Sequence, residues 1–319
     1  MKTSVQAGVA GLLACGTLLT VVLVSRDGDG DGGDDSHTGI AYSSPTKGPY
    51  VALGDSYTAG PGITDPTGTP AGCDRSAGNY PALVAAELGL KGGDFRDVSC
   101  SGATTSDLTA AQKTDDGTNS PQLRALSSTT RLVTIGIGGN DIDFSSMIKR
   151  CVAMGALYEM TGSGKYIAED APCERAYVNG DSDAVKEKID TAGDRLTQVL
   201  SEVGRRAPEA RVYVVSYPAL LPADSADCGR EMSLAPGDVT FLREKEQQLN
   251  TMLRQRASKA GAGYVDTYTP SADRNACAAK DTRWIEPLVP ESPAAPVHPN
   301  ARGERGMADA VLRTVKSAL

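Results

Sequence analysis

Short apolar runs that alternate with segments of helical periodicity constrain this chain more than any other feature. The runs lie at 50–53, 95–99, 132–136, 212–216 and 264–267. Between them, 80–90, 141–157, 183–207 and 238–260 repeat apolar residues at steps of three and four, and a last such segment spans 302–318. In the third, Val185, Ile189, Ala192, Leu196, Val199, Leu200 and Val203 share one face. In the last, Met307, Val311 and Val315 repeat every four residues, with Ala308 and Leu312 beside them. Strand followed by helix, repeated, predicts a parallel sheet covered by helices on both faces. Continuously apolar strands suit a sheet buried on both sides. The expected class is therefore α/β, a flavodoxin-like three-layer α/β/α arrangement with about five parallel strands. Such sheets form their sites where strands end at the carboxyl edge.

Three polar loops reach that edge. Gly54, Asp55 and Ser56 end the first strand, "SCSGATTSD" follows the second, and "GIGGND" follows the third. A serine at a strand end is ordinary turn chemistry unless a base lies near it, because a hydroxyl is a poor nucleophile until its proton is taken. The chain has only two histidines, His37 and His298. His37 lies in an acidic stretch, which leaves His298, in "APVHPNARG" ahead of the last helix, as the candidate base. Two histidines cannot build a multi-histidine metal site. Acyl transfer also needs donors aimed at a developing oxyanion. Gly102 offers an unobstructed N–H, Asn140 an amide NH₂, and Ser56 its own N–H. Asp141 reads as the N-cap of the following helix.

The 319 residues allow one large domain or two small ones. The net charge is −8 without a basic stripe, and aromatic residues make up only 5%, so nucleic acid is excluded as a partner. Residues 1–25 contain an uncharged run after Lys2 that reads either as a cleaved secretory signal or as a membrane anchor. Cys15 after "LLA" resembles a lipidation site, but the apolar run continues past it. Residues 26–48 form an acidic linker. Its Asp27, Asp29, Asp31 and Gly32 imitate the start of a calcium loop, but Thr38 replaces the twelfth-position carboxylate. The folded domain is expected over 49–319. Export leaves six cysteines, Cys73, Cys100, Cys151, Cys173, Cys228 and Cys277, which read as three disulfides with fifteen conceivable pairings.

Gly54-Asp55-Ser56, an isolated glycine after strand two, Gly139-Asn140-Asp141 after strand three and a C-terminal histidine together resemble the SGNH, or GDSL, hydrolases. The likeness is nearest to the secreted lipases and esterases of actinobacteria and covers about residues 48 to 319. It implies Ser56 as nucleophile, His298 as base, and Ser56, Gly102 and Asn140 as the oxyanion hole. It also implies the pairing Cys73–Cys100, Cys151–Cys173 and Cys228–Cys277. A loop closed by Cys151–Cys173 is expected to form one wall of the acyl groove. The α/β-hydrolase elbow G-x-S-x-G is excluded, because Thr58 stands where that elbow needs glycine.

Two positions depart from the family pattern. Tyr57 replaces the leucine of the name motif, a change expected to matter little. Ala295 stands where many members carry an aspartate three residues before the histidine, and Glu291 is seven residues away. A backbone carbonyl of Pro296 or Ala295 is expected to orient the imidazole, making the site a dyad. Its pKa should then rise less than beside a carboxylate. The expected protein is a secreted or surface-anchored, monomeric carboxylic ester hydrolase acting on lipid or small-molecule esters, without cofactor or metal. The alternatives are a phospholipase or a carbohydrate acetyl esterase on the same residues, and an inactive surface binding module.

Overall fold

The computed structural model describes residues 48–161, 170–224, 228 and 232–317. The expected signal or anchor, the acidic linker, Cys15 and His37 lie outside these residues. Among the described residues, no helix is long and apolar enough to cross a membrane.

Each of the five apolar runs becomes a strand: β1 (Tyr50–Gly54), β2 (Phe95–Asp97), β3 (Leu132–Gly136), β4 (Arg211–Val215) and β5 (Gly263–Val265). All pair in parallel, in the order β2-β1-β3-β4-β5. Tyr50 stands opposite Leu132 and Gly54 opposite Gly136, so β1 and β3 end level with each other. The order reverses between these two strands, and there the loops that leave them diverge to open a crevice. The α/β class and five-stranded parallel sheet agree with the sequence reading.

Among the described residues, the longer helices are α1 (Tyr80–Glu87), α2 (Phe144–Thr161), α3 (Ala184–Arg206), α4 (Pro236–Lys259) and α5 (Ala301–Ser317), with α2 packed on α4. Alternation along each strand divides the core in two. Val51, Leu53, Val133, Ile135 and Val214 face one side, with Ile189, Leu196 and Val203 of α3 and Leu242, Leu249 and Leu253 of α4. Tyr50, Ala52, Leu132, Tyr213 and Val215 face the other, with Val84 of α1 and Met307, Val311 and Val315 of α5. Every periodic residue singled out in the third and last helical segments is buried.

The helix after β3 begins later than its sequence suggests. Asp141 does not cap it: its carboxylate accepts the Thr105 N–H at 2.9 Å and the Thr105 hydroxyl, and α2 starts at Phe144. The aspartate is committed to tying the loop after β3 to the loop after β2. The cysteines pair as Cys73–Cys100, Cys151–Cys173 and Cys228–Cys277, with Cα atoms 4.2, 4.9 and 5.1 Å apart. The first links the segment after β1 to the end of β2, beside backbone bonds from Cys100 to Gly54 and from Ser101 to Cys73.

Candidate active site

Ser56 opens a four-residue helical turn, Ser56–Ala59, whose N-cap is Asp55. The Asp55 side chain accepts the Tyr57 N–H at 3.0 Å, which holds the turn closed directly behind the serine. As the first residue of that turn, Ser56 has an N–H with no partner one turn back. His298 arrives from the loop before α5. Its Nε2 lies 2.8 Å from Ser56 Oγ, and its Nδ1 lies 2.7 Å from the Pro296 carbonyl. A carbonyl oxygen can only accept, so Nδ1 carries the proton and Nε2 presents a lone pair to the serine hydroxyl. Ala295 serves the same loop differently: its carbonyl accepts the His298 backbone N–H at 3.3 Å. Glu291 does not fold onto the histidine; its carboxylate sits 3.8 Å from Lys280 and Arg283.

The imidazole pKa runs opposite to the expected rise. Burial holds His298 below the ordinary histidine value, and the Pro296 carbonyl only partly opposes that. Desolvation disfavours imidazolium, and among the described residues no carboxylate bonds the ring to offset it.

Asn140 shares a pocket with Ser56 and His298. Its amide nitrogen donates one hydrogen to the Ala103 carbonyl at 2.9 Å, which leaves the second for a ligand. Gly102, one residue before Ala103, is exposed at φ +77°, a conformation that glycine adopts without strain. Its N–H has no protein acceptor among the described residues. Gly102 does not line the pocket itself; the Asn140–Ala103 and Asp141–Thr105 bonds fix it relative to that pocket.

Two tyrosines complete the scaffold, and one of them, Tyr217, has no signal in the sequence. Tyr217, just past β4, accepts the Gly139 N–H at 2.8 Å and donates a short hydrogen bond to Asp55 Oδ2. A Cβ at position 139 would lie 3.1 Å from the Tyr217 hydroxyl oxygen, so any side chain there would press on the tyrosine that makes this bond. Burial pushes the Asp55 carboxyl up to about 7, against the opposing pull of the Tyr217 hydroxyl. Asp55 thus joins the nucleophile turn to the Asn140 loop through one hydroxyl.

Tyr57, whose replacement of leucine is expected to matter little, makes two contacts that leucine could not. Its hydroxyl donates to the Val297 carbonyl at 2.7 Å, and its ring centroid stands 5.0 Å from that of His298. Val297 has φ +56°, a left-handed conformation costly for a β-branched residue. The tyrosine therefore ties a strained residue, next to the histidine, to the turn that carries Ser56. Tyr57→Phe is expected to lower kcat about tenfold with KM little changed, the loss of about one hydrogen bond's positioning. In a Val297→Gly background, where the strain is gone, the same change should cost less. Steady-state kinetics of the four proteins checks this.

The pocket wall is largely apolar: Tyr57, Phe144, Ile148, Tyr217, Leu249 and Val297 surround Ser56 and His298. The start of α2 and the middle of α4 supply much of it. The 151–173 loop contributes no lining residue among those described, and 162–169 lie outside them. Among the described residues, no cluster of three or more histidine, cysteine or acidic side chains could hold a metal ion.

A sequence profile of the GDSL-like lipase/acylhydrolase family matches residues 52–305. A protein named Lipase 2 from Streptomyces coelicolor is 40% identical over 276 residues, covering 86% of this chain and 88% of its own. The crystal structure of phospholipase A1 from Streptomyces albidoflavus superposes with a TM-score of 0.67 at 28% identity, over 84% of this chain and 99% of its own. An extracellular lipase from Streptomyces rimosus gives 0.65 at 27% identity, with the same coverage of both chains. The chain belongs to the GDSL-like lipase/acylhydrolase family and is a serine ester hydrolase.

Proposed function

We propose that the protein is an exported lipase or esterase that works through a Ser56–His298 dyad. The observation that carries this reading is the 2.8 Å contact between Ser56 Oγ and His298 Nε2, with Nδ1 held by the Pro296 carbonyl. His298 takes the serine proton as Oγ attacks the ester carbonyl. Ser56 N–H, Gly102 N–H and the free Asn140 amide hydrogen receive the oxyanion. The alcohol leaves with the proton from His298, and water, activated by the same imidazole, cleaves the acyl-enzyme. One chain supplies every group, so catalysis needs no second subunit.

The apolar wall suits hydrocarbon as the part of the substrate held near Ser56, and we infer an acyl chain longer than acetyl from the lipase relatives. Kinetics with p-nitrophenyl acetate and longer p-nitrophenyl alkanoates test this: kcat/KM rising with chain length supports a lipase or esterase, and a maximum at acetate contradicts it. The three disulfides and the uncharged N-terminal run support export.

The depressed His298 pKa sets the pH response. The base must be neutral, so activity persists above its pKa and falls as pH drops through it. The acid limb of kcat/KM is expected below the ordinary histidine value of about 6.5. A limb above 7 in a pH–rate profile would contradict the carbonyl-supported dyad, because it would require an anionic partner for the imidazole.

A further inference from the structure

Glu246 is a buried carboxyl group that ester hydrolysis, as derived above, does not use. It lies on α4 at 3% exposure, on a stripe with Leu242, Leu249 and Leu253, and forms part of the same pocket wall as Ser56 and His298. Among the described residues, its one hydrogen-bond donor is the Leu220 N–H, which reaches both carboxyl oxygens at 3.2 and 3.1 Å. Neighbouring polar groups are engaged elsewhere. Lys245 pairs with Asp183, the Tyr57 hydroxyl with Val297, the Tyr217 hydroxyl with Asp55, and Tyr268 with Gln247. No cation pairs with Glu246 among the described residues. Burial pushes its carboxyl up to about 8, opposed only by the Leu220 N–H.

One amide hydrogen leaves a carboxyl group with most of its hydrogen-bonding capacity unmet. A leucine would fit the stripe on which Glu246 sits, and an unmet carboxyl there is a cost without return unless something in the pocket meets it. We propose that Glu246 is a specificity residue of the acyl pocket and that the preferred substrates are esters whose acyl chain carries a hydroxyl group. A hydroxyl can accept from a carboxylic acid and donate to a carboxylate, so it suits Glu246 in either protonation state. A plain alkyl chain would strip water from the carboxyl and return nothing. Phe144, Ile148 and Leu249 line the same pocket and give the hydrocarbon of the chain an apolar surface. The inference rests on the Ser56–His298 reading and adds the substrate class to it.

The test compares p-nitrophenyl alkanoates with counterparts carrying one hydroxyl at successive carbons, in the wild type, Glu246→Gln and Glu246→Leu. In the wild type, kcat/KM for at least one hydroxylated ester should exceed that of its plain counterpart by roughly 10- to 100-fold. Glu246→Gln, which still donates and accepts, should keep a preference at the same carbon. Glu246→Leu should bring the ratio to about one or below. A wild-type ratio near one at every position overturns the proposal, and so does a ratio that survives Glu246→Leu. If Glu246→Leu fails to fold because Leu220 loses its acceptor, the wild-type panel still decides. Labelling by a fluorophosphonate, run in parallel, separates the two readings. A wild-type protein that does not label has lost the dyad. One that labels and shows no hydroxyl preference has lost only the role of Glu246.

Discussion

Alanine at Ser56 or at His298 is expected to lower kcat by about a million-fold, and alanine at both to cost little more. The two side chains act as one unit: without the imidazole the hydroxyl keeps its proton, and without the hydroxyl the imidazole has nothing to activate. The 2.8 Å separation puts them in direct contact before any substrate arrives. Among the described residues no carboxylate bonds His298, so no third alanine variant of intermediate effect is expected among acidic residues near the loop. Glu291→Ala should leave kcat almost unchanged, because that carboxylate faces Lys280 and Arg283. Single-turnover and steady-state kinetics of the two single variants and the double variant check the non-additivity. Strictly additive losses would mean that the two residues act independently.

Asn140→Ala carries the second largest effect, about 10²–10³ in kcat, or about 3–4 kcal/mol of transition-state stabilisation. One amide hydrogen is spent on the Ala103 carbonyl. That bond fixes the plane of the amide and so the direction of the other hydrogen, and pre-aimed dipoles of this kind cost no reorganisation during reaction. Removing the side chain also loosens the link to the Gly102 turn, although Asp141 and Thr105 still hold the two loops together. The effect should therefore fall on kcat with little change in KM. A variant with wild-type kcat would remove Asn140 from the site.

Periodicity placed the strands and helices to within a few residues because burial sets both periods. The residual differences have local causes. β2 stops at Asp97 because its carboxylate turns back to the Ser99 N–H and hydroxyl. α1 stops at Glu87, just before Gly89 at φ +68°. α2 begins late because Asp141 answers to Thr105 rather than to the helix. The residues that meet at the pocket could be read from strand ends, since the carboxyl edge collects them. The scaffold behind them could not. Tyr217 also follows a strand at that edge, but nothing in "SYPALL" says that its hydroxyl bridges Asp55 and Gly139. The same holds for Tyr57, whose partner is 240 residues away. Glu246 did leave a trace: it interrupts the apolar stripe Leu242, Leu249, Leu253 at helical spacing. The direction of the His298 pKa shift was not legible either, because the sequence shows the loop that orients the ring but not the burial that is the larger cause.

The most direct test of the account is intact-mass and peptide mapping of the protein after brief exposure to a fluorophosphonate. A hydroxyl activated by an imidazole should give one phosphonyl adduct, located on Ser56, with a rate that falls sharply in His298→Ala. An adduct on any other residue, or a Ser56 rate indifferent to His298, would contradict the dyad on which every functional statement rests.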